Sequence, residues 1–448
     1  MKIRLLITVL IISFIVACTK DKVYLDTPLD HLLGASLVRA SPTNEMEHFI
    51  LPESDDFAAI PQDPRNPLTK EKVELGKLLF FETGIALSPT KEAGKKTYSC
   101  GSCHVPSAGF RPGSVQGIAD GGIGFGENGE SRTKLTAYRD FEMDVQGVRP
   151  LSVLNVAFVE NTTWNGRFGS TGVNVGTEDR WELDPALHVN EEGFAALESQ
   201  NIEGLEVHRM EITEEVLDVY GYRPYFDQAF GEDDEAERYS KKNAAFAISA
   251  YLRTLLTNQA PFQAYLKGDK TAMTDQEKRG ALVFFSDAKC YLCHKEQNLG
   301  ANEFYALGVN DLYQTGLAFN TSAEDPRNLG RGEYSGIAED NYKFKIPQLY
   351  NLSDAPFFFH GSSKTTLVEV VDYFNKGVPE NTNVPEEQIA RQFKPLNLTP
   401  EQVADLTVFL ETGLNDPNLY RYVPESVLSG YCFPNNDLFS QIELGCGE

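Results

Sequence analysis

Basic residues are scarce in this chain: 40 Lys and Arg stand against 65 Asp and Glu, a formal charge of −25. Such an excess excludes nucleic acid as a partner, because phosphate is repelled. It favours steering of a basic soluble partner, although solubility alone accounts for it equally well. Methionine is rarer still, with five copies and none beyond Met273. Tryptophan occurs only at positions 164 and 181, and no histidine lies between His104 and His188. Alternating apolar runs long enough for a sheet are also few, which excludes a mainly β fold.

What is present begins with "MKIRLLITVLIISFIVAC", a basic start followed by an apolar run too short to be an ordinary membrane span. It ends in Ile15-Val16-Ala17-Cys18 and is similar to the bacterial lipobox, in which cleavage leaves a lipid-bearing cysteine. A signal peptide over 1–17 and lipidation of Cys18 are therefore expected, with a plain anchor or secretory signal as the alternative. On either reading the mature chain lies outside the cytoplasmic membrane, periplasm-facing, and any membrane contact is through the anchor alone.

At 448 residues the chain is too long for one ordinary core. Residues 18–65 carry scattered prolines and little periodicity, and are expected to be a tether. From Asn66 helical spacing dominates. "TDQEKRGALVFF" opens with Thr274 and Glu277 in capping-box spacing. "LTPEQVADLTVFLET" has Thr399 as N-cap, Pro400 next and Gln402 at the third position. Long glycine-rich loops such as "GIADGGIGFGENG" separate the helices. The fold class is all-α with much irregular loop.

Seven cysteines divide cleanly. "YSCGSCHVPSAGF" and "KCYLCHKEQNLG" each hold Cys-x-x-Cys-His, at Cys100, Cys103, His104 and at Cys290, Cys293, His294. This is the attachment signature of c-type haem. Two intervening residues let both sulfurs reach the vinyl groups of one porphyrin edge, and the following imidazole serves as the proximal ligand. A zinc site would need the distant pairs to converge and would not ask for a histidine after each; a dithiol pair would need a βαβ context. Cys432 and Cys446 remain, to form a disulfide around a short tail or to stay as free thiols. No cysteine is left over as a nucleophile.

Each motif follows a helix running Gly, then Leu or Val, then Phe-Phe: "KVELGKLLFF" and "EKRGALVFF". That echo predicts two related cytochrome-c-like haem domains, over 66–236 and 237–415, with a tail over 416–448.

Two haem motifs together with "AYLRTLLTNQAPFQAYLKGDKTAMTDQEKRGALVFF" and "KFKIPQLYNLSDAPFFFHGSSKTTLVEVVDYFNKG" carry a family likeness. Over about residues 66–415 the chain resembles the bacterial dihaem cytochrome c peroxidase and MauG-like family. The resemblance implies two covalent haems c: a peroxidatic one with proximal His104, and an electron-transfer one with proximal His294. Trp164, in "TWNGR", matches the tryptophan that relays electrons between them; a buried packing role is the alternative. The implied reaction is reduction of hydrogen peroxide with electrons from a small cytochrome or copper protein. MauG-like oxidation of a protein or organic substrate is the second reading, and a non-enzymatic dihaem carrier or sensor the third. A homodimer is implied by resemblance only.

Three departures from the family pattern follow. In "LESQNIEGLEVHRMEI", Gln200 fits the distal glutamine, but His208 and Arg209 stand where the distal acid is expected. His208 is expected to do the acid–base work, with an iron-ligand role and a structural role as rivals. With no histidine between His104 and His188, the peroxidatic haem is expected to lack a loop-histidine cap. The sixth ligand of the other haem falls at Phe374, leaving Tyr373 beside it as candidate; the site is otherwise open or holds His360. The interdomain calcium is doubtful, since its asparagine falls near Arg149.

Overall fold

A computed structural model describes residues 26–446. The signal segment and Cys18 lie outside the described residues. Helix and irregular loop dominate, and among the described residues the strands pair into two small antiparallel ribbons. These are β1 (Gly122–Ile123) with β2 (Thr133–Lys134), and β3 (Ala301–Tyr305) with β4 (Phe344–Ile346). Among the described residues no helix is long and apolar enough to cross a membrane.

The longer helices are α1 (Pro28–Ala40), α2 (Lys70–Phe81), α3 (Ala196–Val207), α4 (Lys241–Arg253), α5 (Asp275–Phe285), α6 (Leu367–Lys376) and α7 (Pro400–Val408). Capping defines their starts. The Thr274 hydroxyl accepts from the Glu277 N–H while the Glu277 carboxylate accepts from the Thr274 N–H; Thr399 and Gln402 do the same for α7.

Two apolar cores result. In the first, α4 packs on α2 and α3, burying Leu75, Leu79, Phe80 and Phe81 with Ala244, Ile248 and Tyr251. In the second, α5 packs on α7 and α1, burying Ala281, Phe284 and Phe285 with Leu406 and Phe409. The sequence echo is a repeated crossing. A Cβ at Gly76 would sit 1.8 Å from the Ala247 carbonyl oxygen, and one at Gly280 would sit 2.0 Å from that of Asp405. Glycine is required at both points because the obstacle is helix backbone, which cannot step aside. The Phe-Phe pairs then fall alike, Phe80–Phe81 at 5.0 Å and Phe284–Phe285 at 4.8 Å between centroids, both edge-on.

Three boundary expectations are corrected. The described part of the 18–65 tether is folded onto the body: Leu33, Leu37, Phe49 and Leu51 are fully buried in the second core. An ion pair between Asp30 and Lys278, 2.9 Å apart and nearly inaccessible, ties α1 to α5. Scattered prolines here punctuate short helices instead of marking a linker. The divide at 237 also moves, because α4 belongs to the first core; the chain passes to the second near Leu256–Ala260. Finally, the segment after 415 returns to the first core, contributing Leu419, Tyr422 and Val427.

Candidate functional site

Each Cys-x-x-Cys-His forms one 3₁₀ turn, Cys100–Ser102 and Cys290–Leu292, closed by a bond from the histidine N–H to the first cysteine's carbonyl at 3.1 and 2.9 Å. The two imidazoles are then held by the same kind of hydrogen bond. His104 Nδ1 lies 3.1 Å from the Phe110 carbonyl oxygen and His294 Nδ1 lies 2.7 Å from that of Leu299. A backbone acceptor at Nδ1 fixes the proton there and leaves Nε2 as a lone-pair donor to iron. Burial pushes both imidazoles down to about 4, so they are neutral, as ligation requires. Phe80 flanks His104 at 6.4 Å and Phe284 flanks His294 at 6.3 Å.

The turns open into separate cavities of about 560 and 580 Å³, the first lined by Cys100, Cys103 and His104, the second by Cys290, Cys293 and His294. Both are of the size that takes a cofactor. Paired thiols, an oriented neutral imidazole and an apolar chamber fit a haem c in each.

In the first cavity α3 presents Gln200, Gly204 and, at its C-cap, His208, four residues apart and so on one face. A Cβ at Gly204 would meet nothing within 4 Å, so that face stays open. His208 Nδ1 lies 2.6 Å from the Asp144 carboxylate. Burial opposes charge on this imidazole, but the Asp144 charge and hydrogen bond outweigh it and hold the group above its ordinary 6.5. Arg209, in the left-handed region with φ of 58°, reaches Asp120 at 3.4 Å and Asp144 at 3.9 Å. The Tyr98 hydroxyl donates to the His208 carbonyl at 2.8 Å and anchors the helix end. Among the described residues, His104 and His208 are the histidines on this cavity's wall. His188 is exposed and away from it. Asp144 escaped sequence reasoning because it sits 64 residues upstream of His208 in a segment without periodicity.

Trp164 stands on the walls of both cavities, a shared wall that β4 continues and that Pro347, Leu352, Phe358 and Phe359 complete. Its indole N–H donates to the Arg149 carbonyl at 2.6 Å. The ring meets Phe344 and His360 edge-on, at 6.3 and 6.2 Å.

In the second cavity Tyr373 is corrected as a sixth-ligand candidate. Its hydroxyl donates to the Leu307 carbonyl at 2.7 Å and its ring packs on Phe359, Phe374 and Phe393, off the cavity wall. Successive helical residues point about 100° apart. Val370, Val371 and Phe374 therefore take the cavity face of α6, and Tyr373 does not. His360 does line this cavity; it is stacked on Phe344 at 3.5 Å, and its Nε2 lies 3.1 Å from Asp311. At the calcium position, the buried Arg149 guanidinium donates to the Pro112 and Ser114 carbonyls, oxygens of the type a hard cation would need.

Cys432 and Cys446 form the expected disulfide, with Cα atoms 5.8 Å apart. Between Trp164 and Gln200 the chain forms a small satellite core beside the first cavity, in which Phe168, Trp181 and Leu187 pack with Tyr334.

Comparison with known proteins agrees with this geometry. The family described as di-haem cytochrome c peroxidase matches residues 70–271. The methylamine utilization protein MauG of Methylorubrum extorquens is 26% identical over 362 residues, covering 80% of this chain and 82% of that one. Cytochrome-c peroxidase IdrP1 of Pseudomonas sp. (strain SCT) is 26% identical over 414 residues, covering 87% and 93%. The crystal structure of a MauG-like protein associated with microbial copper homeostasis superposes with a TM-score of 0.56 at 24% identity, covering 82% and 95%, and shares the fold. The chain is thus similar to dihaem cytochrome c peroxidases and MauG-like proteins over most of its length, and binds two covalently attached c-type haems.

Proposed function

We propose that the protein is a peroxidase: one hydrogen peroxide, two electrons and two protons give two waters, with the electrons drawn from a small redox protein. The observation that carries this reading is the His208–Asp144 pair, which lines the same cavity as His104. In this reading the two cores are cytochrome-c-like units. Cys100, Cys103 and His104 hold the peroxidatic haem, and Cys290, Cys293 and His294 hold the electron-transfer haem. The bound haems would supply the iron chemistry for O–O cleavage and the redox centres for the two electrons.

The chain's own groups do the rest. Asp144 accepts from Nδ1–H of His208 and thereby keeps Nε2 as the base. Nε2 takes the proton from one peroxide oxygen and returns it to the other, which leaves as water. Gln200, two turns back on the same helix face, orients peroxide through its amide. Trp164, on the wall common to both cavities, passes electrons toward the His104 side. The protein works outside the cytoplasmic membrane, held by lipid on Cys18.

The test is His208→Ala, with two attached haems first established by mass spectrometry. Peroxide-dependent oxidation of reduced cytochrome c should fall by about 10²–10⁴, the usual worth of a positioned acid–base group. Unchanged turnover ends the assignment. Peroxide consumption by the unaltered protein without oxidation of any small redox protein would favour the MauG-like reading, to which the methionine-free wall of the second cavity also lends support.

A further inference from the structure

Lys345 is the central residue of β4, and its backbone N–H donates to the Trp164 carbonyl at 2.8 Å. Its side chain is 4% exposed. The ammonium lies 4.5 Å from the centroid of the Phe304 ring, yet among the described residues no oxygen accepts a hydrogen bond from it. Like Trp164, Lys345 lines both cavities.

A bare buried ammonium is costly. The penalty persists after relaxation, and native proteins meet it by pairing the charge. Here the described residues supply no pair. The carboxylates on the cavity walls include Asp144, bonded to His208, and Asp311, bonded to His360; Glu160 acts on Lys345 only at a distance. Burial, and then the repulsion of Arg331, pull the ammonium down to about 7. A second cation on the first cavity, Arg149, is 2% exposed and has its Nε–H without an acceptor. Lys345 on the wall between the cavities and Arg149 on the first cavity are thus buried basic groups with unpartnered nitrogens, in a chain that is strongly acidic overall.

The geometry points to a carboxylate-binding site at Lys345, its ligand being a propionate of one of the two haems. Each haem is held by its vinyl edge at the cysteines and carries its two carboxylates on the opposite edge. A propionate is therefore an anion that enters with the cofactor and stays in the cavity. Because Lys345 follows Trp164 on the shared wall, one ammonium sets the charge at the point where the cavities meet. The inference rests on haem attachment and is independent of peroxide turnover.

The experiment uses the matured, two-haem protein with Lys345→Met and Lys345→Arg, haem content being counted by mass before anything else. Removing the cation should lower the midpoint potential of the haem it touches, since a nearby positive charge favours the ferrous state. The arginine variant should keep that potential. In both variants the propionate bending bands of the same haem should shift in resonance Raman spectra. Potentials and propionate bands unchanged in Lys345→Met overturn the site. If that variant does not mature, unchanged bands in Lys345→Arg overturn it equally. The haem that shifts names the cavity whose propionate Lys345 holds.

Discussion

Gly101, between the first pair of haem cysteines, lies directly beneath Pro434: a Cβ at 101 would stand 2.8 Å from the proline's Cβ. The Ser99 and Ser102 hydroxyls donate to the Pro434 carbonyl at 2.8 and 3.2 Å, so the C-terminal tail lies over this turn. The equivalent turn of the second motif is open, with Leu292 between its cysteines 52% exposed. The second attachment edge is thus at the surface and the first is covered, an asymmetry that the proposed electron entry at the His294 side requires.

The tail's disulfide should be a stability element of the first core. Cys432 and Cys446 are separated by 14 residues, and closing a loop of that size is worth about 3 kcal/mol on the loop-entropy account. The double variant Cys432→Ser, Cys446→Ser should lower unfolding free energy by about that amount, read by denaturant titration. An unshifted curve would mean that Leu419, Tyr422, Val427 and the Ser429–Glu82 hydrogen bonds hold the tail alone.

Asp144→Asn should move the acid limb of the pH–rate profile. Proton abstraction needs neutral His208, and Asp144 raises the imidazole above 6.5, so activity appears only as pH rises past that raised value. Removing the carboxylate charge lowers the His208 pKa, and the limb should shift to lower pH. The maximal rate should fall at the same time, because the tautomer is no longer held. Measuring kcat/KM for peroxide across the mildly acid range decides it; a limb shifted upward or unmoved contradicts the pairing.

Gly76→Ala and Gly280→Ala should each destabilise the protein by about 1–3 kcal/mol, the cost of overpacking. Alanine's better helix propensity, worth about 1 kcal/mol, is outweighed because the added carbon meets carbonyl oxygens of Ala247 and Asp405. Gly34→Ala is the control: it is also helical, with nothing within 4 Å of the added carbon, and it should be neutral or slightly stabilising. Thermal unfolding of the three variants separates the two outcomes.

Much of this protein is legible locally. Caps at Thr274 and Thr399, the two haem turns, the histidines that follow them and the Gly…Phe-Phe echo are short-range patterns, and each appears where its spacing requires. The tether expectation for 18–65 failed because low periodicity does not distinguish a linker from short helices docked by a few leucines and the Asp30–Lys278 pair. Likewise α4 follows the first motif's domain because Ala247 and Ile248 pack at Gly76, a contact across about 170 residues. Tyr373 and Phe374 are adjacent in sequence, and only the packing of α6 decides which ring faces the cavity.

The sequence by itself determined the chemistry that is written within a few residues: two thioether-and-imidazole turns, a disulfide-forming tail and a helical body, since covalent reach and hydrogen-bond spacing are local. Tertiary structure alone decided that Asp144 meets His208, that the tail covers Gly101, and that Trp164 and Lys345 share one wall between two cavities. Those relationships join residues tens to hundreds of positions apart, and they exist only once apolar burial has brought the two cores and the strand between them together.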